Sequence, residues 1–343
     1  MIKEGFQVSF SKVRAGLTMA VFIGLSGYAL TNILHSSIFD PLLIALILGI
    51  IIKSSLHNIK KYDSGIALAS SIFIPIGIIF YGLNNLNFTK LTEFEPSGLL
   101  LLTAVMFVYF LVILFLGRLL KQREEITYLT ASGSAICGAS AIAVTSPAVK
   151  AEPDDVSIAL LSVAIAAFAG FALILPFVAI LFNLNCKDYS FLAGSTLQFT
   201  GLVKIAEQYT PFLRKDMPAS EMLSLALSVK AGRYLGLLVG IPLFSSLIKK
   251  RLSCPWFLWA FLISGLVGTW IYTTRGTSFH SALVLYINPV HTVSWSIAMS
   301  AIGLRVNVKE LLSDNGAKAL IMAFAGFFAA IITFLLGINI AYR

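Results

Sequence analysis

Long apolar runs cut by short polar punctuation make up almost the whole chain. Runs near 14–34, 41–53, 65–86, 97–117, 127–149, 155–184, 189–209, 219–248, 255–274, 279–304 and 316–341 predict eleven helices. Most approach the roughly 20 residues a helix needs to cross hydrocarbon, whereas 41–53 is short enough to be tilted or re-entrant. The stretch from Ala15 to Leu34 follows a basic lead. No small-x-small cleavage site follows it, so it reads as a retained first helix rather than a signal peptide. Composition agrees: 58% of the 343 residues are hydrophobic and 12% charged, against about 25% charged in a soluble domain. The expected class is an all-α polytopic membrane protein whose first partner is the lipid bilayer.

Charge adds an orientation. The net charge of +9 is spread through short loops, which is a topology signal and not a nucleic-acid groove. Lys3, Lys12, Arg14, Lys53, Lys60, Lys61, Arg118, Lys121, Arg123, Lys187, Lys249, Lys250, Arg251, Arg305, Lys309 and Lys318 fall on the side of the N-terminus. Lys90, Lys150, Lys204, Arg214, Lys215, Arg275 and Arg343 fall on the other. This bias predicts a cytoplasmic N-terminus and, with an odd number of spans, an outside C-terminus in a bacterial inner membrane. Cys137, Cys186 and Cys254 are widely separated and no Cys/His spacing suits zinc, so neither metal nor cofactor is expected.

Setting residues 1–40 aside as an extra helix leaves five predicted helices in 41–186 and five in 187–343. An odd number per block forces the copies into opposite orientations, the inverted-repeat plan of many secondary transporters. Two small-residue helices, 127–149 with "SGSAICGASAIAVTSP" and 279–304 with "INPVHTVSWSIAMSAIGL", are the expected broken, crossing pair. Such a segment does not suit lipid. Interrupted backbone at membrane depth must be buried in protein or line a wet cavity, and small side chains let helices approach closely. A pure packing face is the alternative.

Two cations stand inside a predicted span, Lys230 and Arg233 in "SLALSVKAGRYLGLLVGIP". They lie roughly 16–21 Å into a helix rising about 1.5 Å per residue, too deep for simple snorkelling. Three apart, they share a face. Ionisable groups at that depth are functional candidates. They either meet an anionic substrate or bond the backbone carbonyls of a broken helix. Gly232, Gly236 and Gly240 form a ladder suited to close helix packing. Ser134, Cys137, Gly138, Ser140 and Ser300 offer hydroxyl, thiol and amide contacts to a substrate. Thr196 and Gln198 bind it or glue two helices. His291 is a proton carrier or an interface histidine. Trp256, Trp259 and Trp270 read as interfacial belt residues.

The segment "SGSAICGASAIAVTSPAVKAE" resembles the hallmark of the YeiH-like family of bacterial inner-membrane proteins, labelled sulfate exporters. The matching positions are Gly133, Ser134, Ile136, Cys137, Gly138, Pro147, Val149, Lys150, Ala151 and Glu152. Gly194-Ser195-Thr196, the Lys230/Arg233 pair, "IIFYGL" at 78–83 and "AMSAIGL" at 298–304 follow in family order. The family is similar to the bile-acid-transporter-like superfamily, which implies inverted five-helix repeats with two crossing broken helices. The chain departs from the family pattern in two places. Gln198-Phe199 stands where a His-Glu pair is common, and Ile74-Pro75 where a basic residue is frequent. Both departures remove polar chemistry.

Together these readings predict a secondary transporter exporting a small anion such as sulfate, a sulfonate or an organic acid. An integral-membrane enzyme and an anion channel are the alternatives. No HExxH, GxSxG or carboxylate pair lies in the predicted spans, so an enzyme is not expected. A homo-oligomer is compatible with the sequence.

Overall fold

A computed structural model describes residues 2–33, 40–56, 59–85, 88–89, 96–208, 210, 217–250, 256–306, 309 and 312–341. Cys254, Lys90, Arg214, Lys215, Arg251 and Arg343 lie outside the described residues. Every regular element among the described residues is a helix. In order these are α1 (Ile2–Ile33), α2 (Pro41–Ser55), α3 (Asp63–Asn85), α4 (Pro96–Leu119), α5 (Glu124–Ser132), α6 (Ala139–Thr145) and α7 (Pro153–Ala169). They continue as α8 (Leu175–Leu181), α9 (Cys186–Thr196), α10 (Thr200–Gln208), α11 (Ala219–Gly232), α12 (Gly236–Lys249), α13 (Trp256–Gly303) and α14 (Asp314–Ala341).

Among the described residues, eight stretches are long and apolar enough to cross a bilayer: Ser11–Ile33, Asp63–Leu83, Pro96–Leu119, Pro153–Leu181, Ala219–Ile248, Trp256–Gly276, Ala282–Gly303 and Asp314–Ile338. The other three predicted spans are the 15-residue α2 and the interrupted segments α5–α6 and α9–α10. Phe107, Phe115, Leu173, Ile180 and Trp270 are all more than half exposed. Large apolar side chains in that number belong against lipid tails. The bilayer environment predicted from composition is therefore matched by the surface of the fold.

Local chemistry explains the helix ends. Asp40 caps α2, its carboxylate accepting from the N–H groups of Leu42 and Leu43 at 2.8 and 3.3 Å, with Pro41 at the first position. Asn185 caps α9 by accepting from the Asp188 N–H. Pro153 opens α7, where Asp155 accepts from the Glu152 N–H and pairs with Arg123 at 3.0 Å.

The helices pack as two groups. α1, α2, α3 and α13 pack on one another, while α14 lies along α4 and α7, and α11 lies along α9 and α10. The predicted blocks 41–186 and 187–343 are thus interleaved: α13 packs on α2 and α3, and α14 on α4. One expectation is corrected here. The segment 279–304 is not the second broken helix. Ala282–Gly303 runs as helix through Pro289, and the non-helical residue of α13 is Gly276, with φ 81 and ψ 169. Its small residues instead serve packing: Gly303 approaches the Leu46 carbonyl and Gly49 the Ser300 carbonyl so closely that neither site has room for a Cβ. The second interruption lies between α9 and α10.

Candidate functional site at two interrupted helices

The first interruption follows a π turn, Gly133–Cys137, closed by the Gly138 N–H donating to the Gly133 carbonyl at 2.9 Å. Gly138 then takes φ 68 and ψ −125, a conformation open to glycine and strained for other residues. The second follows Thr196. Ser195 and Thr196 both return their hydroxyls to the Leu192 carbonyl, a back-bond that competes with helix continuation. Leu197 is then extended, at φ −67 and ψ 135. The two breaks touch, because a Cβ on Gly138 would lie 3.0 Å from the Phe199 ring.

Each interruption leaves carbonyls that have lost their helical N–H partners. Lys230 and Arg233, both fully buried, supply the missing donors. Lys230 Nζ donates to the carbonyls of Ile136, Leu197 and Gln198 at 3.2, 2.7 and 2.6 Å. Arg233 donates from Nε to Ala135 at 3.0 Å, from one terminal nitrogen to Gly194 and Leu197 at 3.3 and 2.7 Å, and from the other to Ser134 at 2.6 Å. The Leu197 carbonyl accepts from both cations. A short 3-10 turn, Arg233–Leu235, separates α11 from α12 and carries Arg233. The guanidinium carbon lies 5.9 Å from the centre of the Tyr109 ring. Tyr109 donates its hydroxyl to the Thr196 carbonyl and accepts from the Gln198 amide.

Electrostatics decide what this cluster favours. The C-terminal end of a helix carries about −0.5 of a charge. Two such ends offset about half of the two cations, leaving a net charge near +1. Among the described residues no carboxylate pairs with either cation.

The predicted residues divide accordingly. Ser134, Cys137, Gly138, Thr196, Gln198, Lys230 and Arg233 converge at the breaks, and Ser140 sits within reach of the Cys137 thiol. The structure takes the second of the two readings of the cations for their direct bonds: all three donors of Lys230 meet backbone carbonyls. Ser300 is elsewhere. Its hydroxyl donates to the Ala20 carbonyl, inside the α1–α3/α13 group. The Ser134 hydroxyl and the Gln198 side-chain oxygen are fully buried at the junction with no hydrogen-bond partner.

Sequence reasoning missed the tyrosines. Tyr81 of α3 reaches the Cys137 thiol and the Tyr234 hydroxyl, and Tyr234 reaches the Thr200 side chain. Tyr81 also packs on Trp295, Phe261 and His291, with ring centres 4.8, 6.2 and 5.9 Å away. His291 is thus buried in this aromatic cluster. The aromatic cluster joins α3 and α13 to the interrupted helices. The only hint in the chain was "IIFYGL", where the tyrosine looked like any other span aromatic.

A family described as Conserved hypothetical protein 698 matches residues 15–323. The chain belongs to that family. Its match spans every residue of the junction and agrees with the YeiH-like resemblance of the 132–152 segment. A "UPF0324 membrane protein" of Archaeoglobus fulgidus is 29% identical over 316 residues, covering 91% of this chain and 90% of the relative. Another from Staphylococcus epidermidis is 29% identical over 330 residues and covers 91% of each. One from Staphylococcus aureus is 28% identical over 313 residues, covering 86% of this chain and 87% of its own. No solved structure matches the chain.

Proposed function

We propose that the protein is a secondary transporter of a small anion, such as sulfate, a sulfonate or an organic acid, rather than an enzyme. In this reading all eleven predicted segments belong to the membrane domain, with the N-terminus cytoplasmic and the C-terminus outside an inner membrane. Export is the direction implied by the family label. The observation that carries the reading is the burial of Lys230 and Arg233, with no carboxylate partner among the described residues, where two interrupted helices meet. The cations hold the helix C-termini, and their residual field favours an anion beside them. Ligands for it are the unpartnered Ser134 hydroxyl and the N–H groups that open α10, which have no partner inside the helix. The Cys137–Tyr81–Tyr234 chain sits where the two packing groups meet. Rocking one group against the other around this junction would open it to each side in turn.

Thermal unfolding of the full-length protein with sulfate, methanesulfonate and succinate tests the reading. An anion at about 100 times its Kd adds roughly 2.7 kcal/mol. Ser134→Ala should lose that response while keeping or gaining basal stability, because the hydroxyl it removes is buried without a partner. Counterflow of labelled sulfate in proteoliposomes separates a carrier from a channel. If no anion stabilises the protein and no counterflow occurs, the transporter reading fails.

A further inference from the structure

Glu207 stands near the end of a predicted span in the sequence, yet it is buried to 1% exposure. It sits on α10, seven residues beyond Thr200 and thus roughly 10 Å from the break at about 1.5 Å per residue. Its Oε2 accepts from the Ser190 hydroxyl at 2.7 Å. Its Oε1 is buried with no partner. Ser190 lies on α9, before the interruption, and Glu207 on α10, after it. One hydrogen bond therefore ties the two halves of the second interrupted helix together.

Asp155, also fully buried among the described residues, has direct support for a charge: Arg123 pairs with it and the Glu152 N–H donates to it. Glu207 has neither kind of support. The elements packed most extensively against α10 are α9, α11 and the π turn at Gly170–Ile174, and Tyr234 of the 3-10 turn reaches Thr200 at the far end of α10 from Glu207. On α9 the nearby titratable group is Tyr189, with Lys187 and Asp188 one turn or less from the helix start. On α11 they are Glu221, exposed, and Lys230, whose donors are committed to carbonyls. The π turn has none, and Lys204 on α10 itself is exposed. Among the described residues no cation forms an ion pair with Glu207. A carboxylate with one hydroxyl donor, a bare oxygen and no counter-charge is costly to bury, and proton uptake removes the charge.

We propose that Glu207 is a proton-binding site that couples proton movement to rearrangement of the α9–α10 interruption. The proposal rests on the carrier reading for its physiological use and supplies the titratable group that Gln198-Phe199 lacks. In the described arrangement the carboxyl is neutral and holds α10 against Ser190. When α10 shifts and water reaches Oε1, the acid releases its proton to that water and the carboxylate remains solvated. Rebinding a proton permits the packed state to return. Because α10 also opens on the anion junction, proton and anion occupancy act on one element.

Infrared difference spectra of the full-length protein provide a test that needs no substrate. At neutral pH a protonated-carboxyl stretching band should be present, absent in Glu207→Gln, and shifted in frequency in Ser190→Ala. Should Glu207→Gln fail to fold, the Ser190→Ala shift carries the same readout. Absence of the band, or its persistence in Glu207→Gln, overturns the proposal, as does an unshifted band in Ser190→Ala. Proteoliposomes with an internal pH dye then test coupling with sulfate as probe. A sulfate gradient should move protons in the wild type, whereas Glu207→Gln should retain sulfate counterflow and lose at least tenfold of the dye response. A full dye response in Glu207→Gln overturns the coupling role. Absence of wild-type sulfate flux counts against the anion reading instead, and leaves the infrared result to decide Glu207.

Discussion

At the residue scale the Leu197 carbonyl is the point on which the junction turns, because Lys230 and Arg233 both donate to it at 2.7 Å. Arg233 reaches four carbonyls on two interrupted helices through a planar fork. A lysine ammonium is a compact charge on a flexible stem and has no such fork. Arg233→Lys should therefore destabilise the protein, and Arg233→Ala should cost more, on the order of 3 kcal/mol or above, because the Ser134, Ala135 and Gly194 carbonyls lose this donor at about 1–3 kcal/mol each. Thermal unfolding in detergent checks both, and a neutral result for Arg233→Ala would remove its clamping role. Gly138 offers a second test. At φ 68, with the Phe199 ring 3.0 Å from where an added methyl would stand, alanine should cost about 1–3 kcal/mol in backbone strain, before any shift of the ring.

Elements follow from where such residues interrupt or permit a helix. The two breaks arise differently: Gly138 turns the first with a glycine conformation, and Ser195/Thr196 back-bonding ends α9 before extended Leu197. Pro289, by contrast, leaves its helix unbroken, and Gly276 interrupts α13 instead. The Gly232/Gly236/Gly240 ladder also differs from a close two-helix seam. It lines an apolar groove of about 800 Å³ between α4 and α11–α12, with Gly232 near Leu102 and Gly236 near Met106. These settings predict opposite responses to alanine. Gly276→Ala should lower stability by about 1–3 kcal/mol, since its φ and ψ belong to the glycine-only region. Gly240→Ala, whose added methyl would make ordinary contacts at 3.6–3.9 Å, should be neutral or stabilising by up to about 1 kcal/mol. Unfolding midpoints of the two variants, compared directly, decide the matter; equal losses would show that conformation is not what distinguishes the sites.

For the whole molecule, the tyrosine-rich seam joins the α1–α3/α13 group to the interrupted helices. Motion between the groups must repack Tyr81 against Cys137, Tyr234 and Trp295. Tyr81→Phe keeps the aromatic packing but loses the hydroxyl. It should fold with a cost of about 0.5–1.5 kcal/mol and slow sulfate counterflow, which the proteoliposome assay reads. Orientation is tested separately. In a Cys254→Ser background, with Cys137 and Cys186 buried, Arg275→Cys should react with a membrane-impermeant thiol reagent applied to intact cells. Lys187→Cys should react only after the membrane is opened. The reverse pattern would invert the proposed topology.

The chain by itself determined the membrane class, the eight long apolar helices seen among the described residues and the two buried cations, because hydrocarbon imposes length and polarity on any segment that crosses it. It also marked 127–149 as an expected broken helix, since glycine and serine at that depth suit no lipid-facing helix. Only the tertiary structure decided which segment completes the junction. Ala282–Gly303 and Cys186–Gln208 are both rich in small and polar residues, but composition does not reveal whether small residues admit a neighbouring backbone or end a helix. Ser300 packs against α1 for the first reason, and Ser195 and Thr196 turn back on Leu192 for the second. The bonds of Lys230 and Arg233 were likewise undecided by spacing. Which acceptor a buried cation finds depends on segments 32 to 99 residues away in the chain being brought to it, and that is a property of packing.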